Sequence, residues 1–222
     1  MSSDLLPDAA LFLAALFTSY LATSPPHKST EKARKAAGEK GDWVRRIGLL
    51  RATVIFQWAL FSWALFQLRI MFDPTQEAKL NDWISRGSRS SFRLGCLAML
   101  AGGSLRLYCY HTLGHFFTFE LAVQVDQKVI QTGPYAYVRH PSYTGILLVA
   151  LGVAIAMGPY APALSGQYRQ PMLYLMCLAL VLAISAAVLR INDEERMLKK
   201  ELKEPYEDYC RKVSCRLIPL LL

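Results

Sequence analysis

The chain of 222 residues is short of the usual catalytic signatures. Its five cysteines, Cys96, Cys109, Cys177, Cys210 and Cys215, form no CxxC pair and no metal-ligand spacing. There is no Gly-rich phosphate loop, no dinucleotide fingerprint and no Ser/His/Asp set. These absences argue against a structural metal domain, a P-loop enzyme and a serine hydrolase. Internal repeats and low-complexity tracts are also missing. Charge is scarce, at 19% of residues. The net charge of +8 is confined to loops between apolar blocks, which argues against nucleic acid as a partner. A CaaX box is absent too, because Cys215 is not fourth from the end.

What the chain does have is apolar residues, 53% of the total, with a mean hydropathy of +0.23. They come in blocks at 8–23, 48–72, 92–110, 143–157 and 171–189. This pattern predicts an all-α, polytopic integral membrane protein with about five transmembrane helices and a C-terminal helical segment outside the membrane. The first block lacks a basic leader and a small-residue cleavage site, so it reads as a membrane helix rather than a signal peptide. The fourth block is limited by Gly158-Pro159, and its fifteen residues reach only about 22 Å. A tilted or re-entrant hairpin with the fifth block is therefore expected.

Topology follows from the loops. Residues 27–46 carry seven Lys/Arg, which places that loop in the cytosol. Counting five crossings puts the 111–143 stretch and the 190–222 segment on the same cytosolic face. Gly95, Gly102 and Gly103 are expected to let membrane helices approach closely. Residues 113–126 are too short and broken to span and read as an interfacial amphipathic segment.

Two polar clusters stand out. The first is Gly133-Pro-Tyr-Ala-Tyr-Val-Arg-His-Pro-Ser-Tyr-Thr-Gly145. An aromatic belt with a snorkelling arginine would account for Tyr135, Arg139, His140 or Tyr143 taken singly. Their grouping, broken by Pro141 and bounded by Gly145, fits a ligand site better. The second is Arg190-Ile-Asn-Asp-Glu-Glu195. Arg190 and Glu194 share a helix face, so a surface ion pair is one reading. A cation held by the carboxylates and an anion held by Arg190 is the other.

Leu113-Gly-His-Phe-Phe-Thr118, the 133–145 and 190–195 clusters, Tyr206-Glu-Asp-Tyr209 and Leu217-Ile-Pro219 occur in that order. Together they resemble the isoprenylcysteine carboxyl methyltransferases over roughly residues 92–220. The apolar blocks and the basic loop set apart an N-terminal unit, 1–91, of two membrane helices with a cytosolic loop, and the resemblance implies a methyltransferase core, 92–222. It implies S-adenosyl-L-methionine as cofactor and prenylated CaaX-type proteins as substrates, in the endoplasmic reticulum membrane with the site facing the cytosol. Cofactor contacts would come from Gln124, Gln127, Lys128, Val129, Ile130, Tyr135, His140, Pro141, Ser142, Tyr143 and Glu194. Gln127 stands where the family carries His, which favours backbone contacts in that segment. Arg190 would bind the substrate carboxylate and, with Glu194, carry the reaction. A related phospholipid N-methyltransferase and a non-enzymatic membrane protein with a degenerate site are the competing readings.

Overall fold

The computed structural model describes residues 5–24, 88–119, 126–157 and 166–218, with isolated positions 57, 58, 61, 62, 65, 69 and 123. Gln124, the basic 27–46 loop and most of the second apolar block lie outside the described residues. Five α-helices account for most of the rest, and no β-strand occurs among the described residues.

Helix α1, Leu5–Thr23, is an apolar run with Asp8 in its first turn, where a carboxylate suits the exposed N–H groups. Its hydroxyls bond back to the helix backbone. Ser19 donates to Ala15 O at 2.7 Å and Thr23 to Ser19 O at 2.9 Å, which satisfies them without water. Gln57, from the second block, donates to Thr23 Oγ1 at 2.9 Å. Helix α2, Ser88–Leu113, begins below the apolar block of the sequence and runs past it. Arg89 and Arg93 in its first turns each place Nε 2.6 Å from the buried Asp8 carboxylate, locking α1 to α2. Phe12 and Phe92 stack beside this triad with centroids 5.5 Å apart.

Helix α3, Pro141–Met157, starts at a proline, whose missing N–H costs nothing at that position. It packs antiparallel on α2 at two glycine crossings. A Cβ on Gly102 would fall 2.5 Å from Gly145 O, and one on Gly95 would fall 2.6 Å from Gly152 O. The backbones therefore touch directly, as small residues permit. The core at this junction holds Phe12, Ala15, Phe92, Cys96, Met99, Val153 and Ala156.

Helix α4, Gly166–Leu202, is 37 residues long and does not break where its charges begin at Arg190. Arg, Glu, Lys and Leu are good helix formers, so the backbone continues past the apolar segment. Lys203 follows with φ +49° and turns the chain into α5, Glu204–Lys212.

Among the described residues, two segments are long and apolar enough to cross a membrane by length and composition, Leu6–Thr23 and Tyr174–Leu202. Along the second, Leu175, Leu178, Val181, Leu182, Val188 and Leu189 face outward. A core helix of a soluble protein would bury such residues; here they suit lipid. Helix α2 is long enough to span but carries Arg89, Arg93 and Arg106, and α3 is short, as expected from Gly158-Pro159. The described residues thus support a helical membrane protein and leave the count of five crossings as an expectation.

Candidate active site

The first polar cluster is built on a turn. Gly133 opens it at φ +59°, a conformation that favours glycine. Gly133–Ala136 then forms one 3₁₀ turn with Pro134 and Tyr135 buried. The hydroxyl of Tyr209 on α5 donates to Tyr135 O at 2.8 Å, which ties the turn to the C-terminal segment. Burial raises the Tyr135 and Tyr209 phenols above their ordinary value, so both remain protonated donors.

The same segment closes from below through the backbone. Arg139 N donates to Cys215 O at 3.0 Å and His140 N to Arg216 O at 2.9 Å. The Arg139 side chain donates to Val213 O and Ser214 O, both at 3.0 Å. Thr144 Oγ1 donates to Leu217 O at 2.5 Å. Residues 213–217 therefore strap the motif against the end of α4.

On α4 the two adjacent glutamates part company. Glu195 is buried and accepts from Arg139 Nε at 3.0 Å, faces His140 Nε2 at 3.2 Å, and accepts from Arg216 at 2.8 Å. Glu194 receives the Tyr143 hydroxyl at 2.7 Å and keeps 30% of its side chain exposed. Arg190, one turn earlier, donates to Phe119 O at 2.8 Å.

These groups enclose a cavity of about 320 Å³, within the size range of small-molecule sites. Gln127, Lys128, Val129 and Ile130 form one wall. Tyr135, His140, Ser142 and Tyr143 form a second, and Arg190 and Glu194 a third. Pro141 does not line it; it is fully buried at the start of α3. The two polar clusters, some fifty residues apart in sequence, thus meet in one place.

Along α4 the lining changes character in order. Ala183, Ala186 and Ala187 come first, then Arg190 and Glu194, then Met197, Leu198 and Leu202. The run from 183 to 202 spans about 28 Å of helix, so the cavity is apolar at both ends and ionic in the middle. Phe116, Phe117 and Phe119, from the segment expected to lie at the interface, face the apolar and ionic parts.

Sequence reasoning assigned no role to several residues that shape the site. Arg106 lines the cavity and joins three helices. Its Nε donates to Ala22 O at 2.6 Å and to Tyr110 Oη at 2.9 Å, and Nη1 donates to Ser142 Oγ at 2.6 Å. Its guanidinium also sits 5.0 Å from the centre of the Phe119 ring. An arginine late in an apolar helix is the sequence signal that could have found it. Tyr206 and Tyr209 reach the cavity from α5, and their three-residue spacing is visible in the sequence.

The donor set fits the expected cofactor. An acidic Glu194 suits a positively charged sulfonium, and the apolar wall at Val129 and Leu198 suits a flat base. Residues 94–200 match the isoprenylcysteine carboxyl methyltransferase (ICMT) family. The matched segment contains α3, both polar clusters and α4 up to Lys200, so most of the cavity lining lies within it. Two curated relatives, both named protein-S-isoprenylcysteine O-methyltransferase, come from Saccharomyces cerevisiae and Schizosaccharomyces pombe. The first is 35% identical over 66 residues, covering 29% of this chain and 28% of that protein. The second is 35% identical over 96 residues, covering 43% and 35%. The match thus spans about a third of the length of these relatives. No solved structure matches the chain.

Proposed function

We propose that the chain is a protein-S-isoprenylcysteine O-methyltransferase that takes its methyl group from S-adenosyl-L-methionine. The observation that carries this reading is that Arg190 and Glu194 line the same cavity as Gln127–Ile130 and Tyr135, His140, Ser142 and Tyr143. The bound cofactor would supply an electrophilic methyl group on a sulfonium. The rest of the chemistry belongs to the chain's own residues.

A prenylcysteine carboxylate is ionised at neutral pH, so no general base is needed. The protein must instead hold the carboxylate in line and remove water from it. Arg190 offers a guanidinium, already steadied by Phe119 O, to orient that carboxylate. Glu194 places a negative charge where the cofactor is positive, and the Tyr143 hydroxyl fixes its rotamer. Phe116, Phe117 and Phe119 exclude water from the reacting end. The Ala183–Ala187 side opens towards the apolar half of α4, which suits a prenyl chain arriving from lipid. Arg190 also disfavours a lipid amine as acceptor, because it would set a cation beside a cation.

In this reading the protein resides in the endoplasmic reticulum membrane, its site faces the cytosol, and processed CaaX proteins are its substrates. The test uses the full chain in proteoliposomes with methyl-labelled cofactor. Labelled ester should form on farnesylcysteine, and phosphatidylethanolamine should stay unlabelled. Arg190→Ala should abolish transfer while the protein stays folded. Transfer to the amine lipid alone, or near-normal turnover in Arg190→Ala, would sink the assignment.

A further inference from the structure

The polar end of α4 carries a positive face that the cavity does not use. From Arg196 to Lys203 four of eight residues are basic and one, Glu201, is acidic. Arg196, Lys199, Lys200 and Lys203 are all exposed, and the Arg196 side chain is 82% so. Arg196 and Lys200 are four apart, and like charges at that helical spacing repel. Among the described residues the four cations form one ion pair, Arg196 with Asp193 at 3.7 Å, an exposed contact of little strength. On α5, Asp208 is taken by Arg211 of the same helix. A face that serves only solubility alternates its signs; this one does not.

Helix geometry sets where the face points. Each residue turns the helix by about 100°, so Leu178, Leu182, Leu189, Arg196, Lys199 and Lys200 fall within about 60° of one line along α4. The three leucines on that line are exposed in the segment that suits lipid. Arg190 and Glu194 lie about 120–160° round from it, and Glu201 about 140°. The cations therefore sit on the back of the helix whose front lines the cavity. One unbroken helix thus passes, along one line, from side chains that suit acyl chains to side chains that suit anions. Helical side chains lean towards the N-terminus, here back towards the apolar segment. Arg196 is seven residues, about 10 Å, beyond Leu189. The headgroup layer extends about 5–8 Å past the hydrocarbon, so the leaning Arg196 meets it. Lys199 and Lys200 follow within about one Debye length.

We infer that this back face of α4 binds the headgroups of anionic phospholipids in the adjoining leaflet. Charge complementarity selects them: a phosphatidylserine or phosphatidylinositol headgroup brings net negative charge, whereas phosphatidylcholine brings a cation with its phosphate. The bound lipid relieves the repulsion between Arg196 and Lys200 and holds α4 from behind, leaving Arg190 and Glu194 free to face the cavity. The inference is independent of the cofactor and of the methyl acceptor.

The test uses the full chain in neutral detergent micelles and measures equilibrium binding of short-chain phosphatidylserine and phosphatidylinositol. Short-chain phosphatidylcholine, inorganic phosphate and a polyglutamate peptide serve as comparisons. The anionic lipids should bind, and more weakly as salt rises from about 50 mM to about 500 mM. Phosphatidylcholine and inorganic phosphate should bind at least tenfold more weakly. Arg196→Gln, Lys199→Gln and Lys200→Gln combined should weaken the anionic lipids by about fivefold for each cation removed, the worth of a basic residue at a charged membrane surface. Glutamine is a good helix former, so the lipid-free melting temperature should stay unchanged or rise. Unchanged lipid affinity in the triple variant would overturn the inference, as would equal binding of phosphatidylcholine. Inorganic phosphate bound as tightly as the lipids would reveal a free-anion site, and a tighter peptide would reveal an acidic protein partner; either result overturns the lipid assignment. A lower lipid-free melting temperature would show that the cations serve the fold instead.

Discussion

Glu194 and Glu195 are neighbours on one helix and do opposite work. One residue of helix turns a side chain by about 100°, and here that rotation separates a cavity from a clamp. Glu195 points into a nest of Arg139, His140 and Arg216 that holds the first polar cluster and the C-terminal strap together. Glu194 lines the cavity, with the Tyr143 hydroxyl at 2.7 Å and His140 Nδ1 at 4.0 Å. A carboxylate enclosed by cations is committed to the fold; one left half-open beside a cavity is available to a ligand. Counting charges along 190–195 cannot tell the two apart, but their partners can.

The contrast can be broken most severely at Glu195. Glu195→Ala leaves Arg139 and His140 buried without their anion, a loss of about 3–5 kcal/mol for a buried pair. Thermal unfolding in detergent should show it as a large drop in melting temperature or failure to purify as a single species. A melting temperature within a degree or two of the parent would show that the clamp is not what holds the strap. Glu194→Gln should act on the other half of the comparison. It keeps a partner for the Tyr143 hydroxyl, so the melting temperature should stay close to that of the parent. Cofactor affinity should fall at least tenfold, on the scale of one charged hydrogen bond, and equilibrium binding of S-adenosylmethionine reads this directly. Unchanged affinity would remove Glu194 from the cofactor site. The smallest effect is expected from Arg216→Ala. Its side chain is 45% exposed, and solvent-screened pairs contribute about 1 kcal/mol or less. A drop as large as that of Glu195→Ala would mean that Arg216, not Arg139, anchors the clamp.

The positions of the helices were legible in the apolar blocks because lipid-facing helices must be apolar throughout. Their ends were not. The chain's helix at Ser88–Leu113 outruns the block at 92–110, and α4 continues through Leu202 past the block at 171–189. Hydropathy reports the solvent, whereas helix hydrogen bonds continue wherever residues such as Arg, Glu and Lys allow. The two polar clusters do meet in one cavity, while the count of five crossings from which their meeting was expected stays an expectation. The strap was not readable, since the Arg139 side chain reaches Val213 O across 74 residues with no periodic trace. Arg106 escaped assignment for a related reason: its partners Ala22 and Ser142 lie 84 and 36 residues away. Tyr206 was seen as part of a motif, but that its hydroxyl has no partner among the described residues is a fact of three dimensions.

The strap has a consequence for how the protein is made. Translation delivers α1, α2, α3 and the apolar part of α4 first, and each can enter the bilayer as it emerges. The clamp on Glu195 and the strap on Thr144 cannot close until Arg216 and Leu217 have left the ribosome. The cavity wall that they brace is therefore completed last. A ribosome stalled before Cys215 should hold a membrane-inserted chain whose cavity is not yet closed.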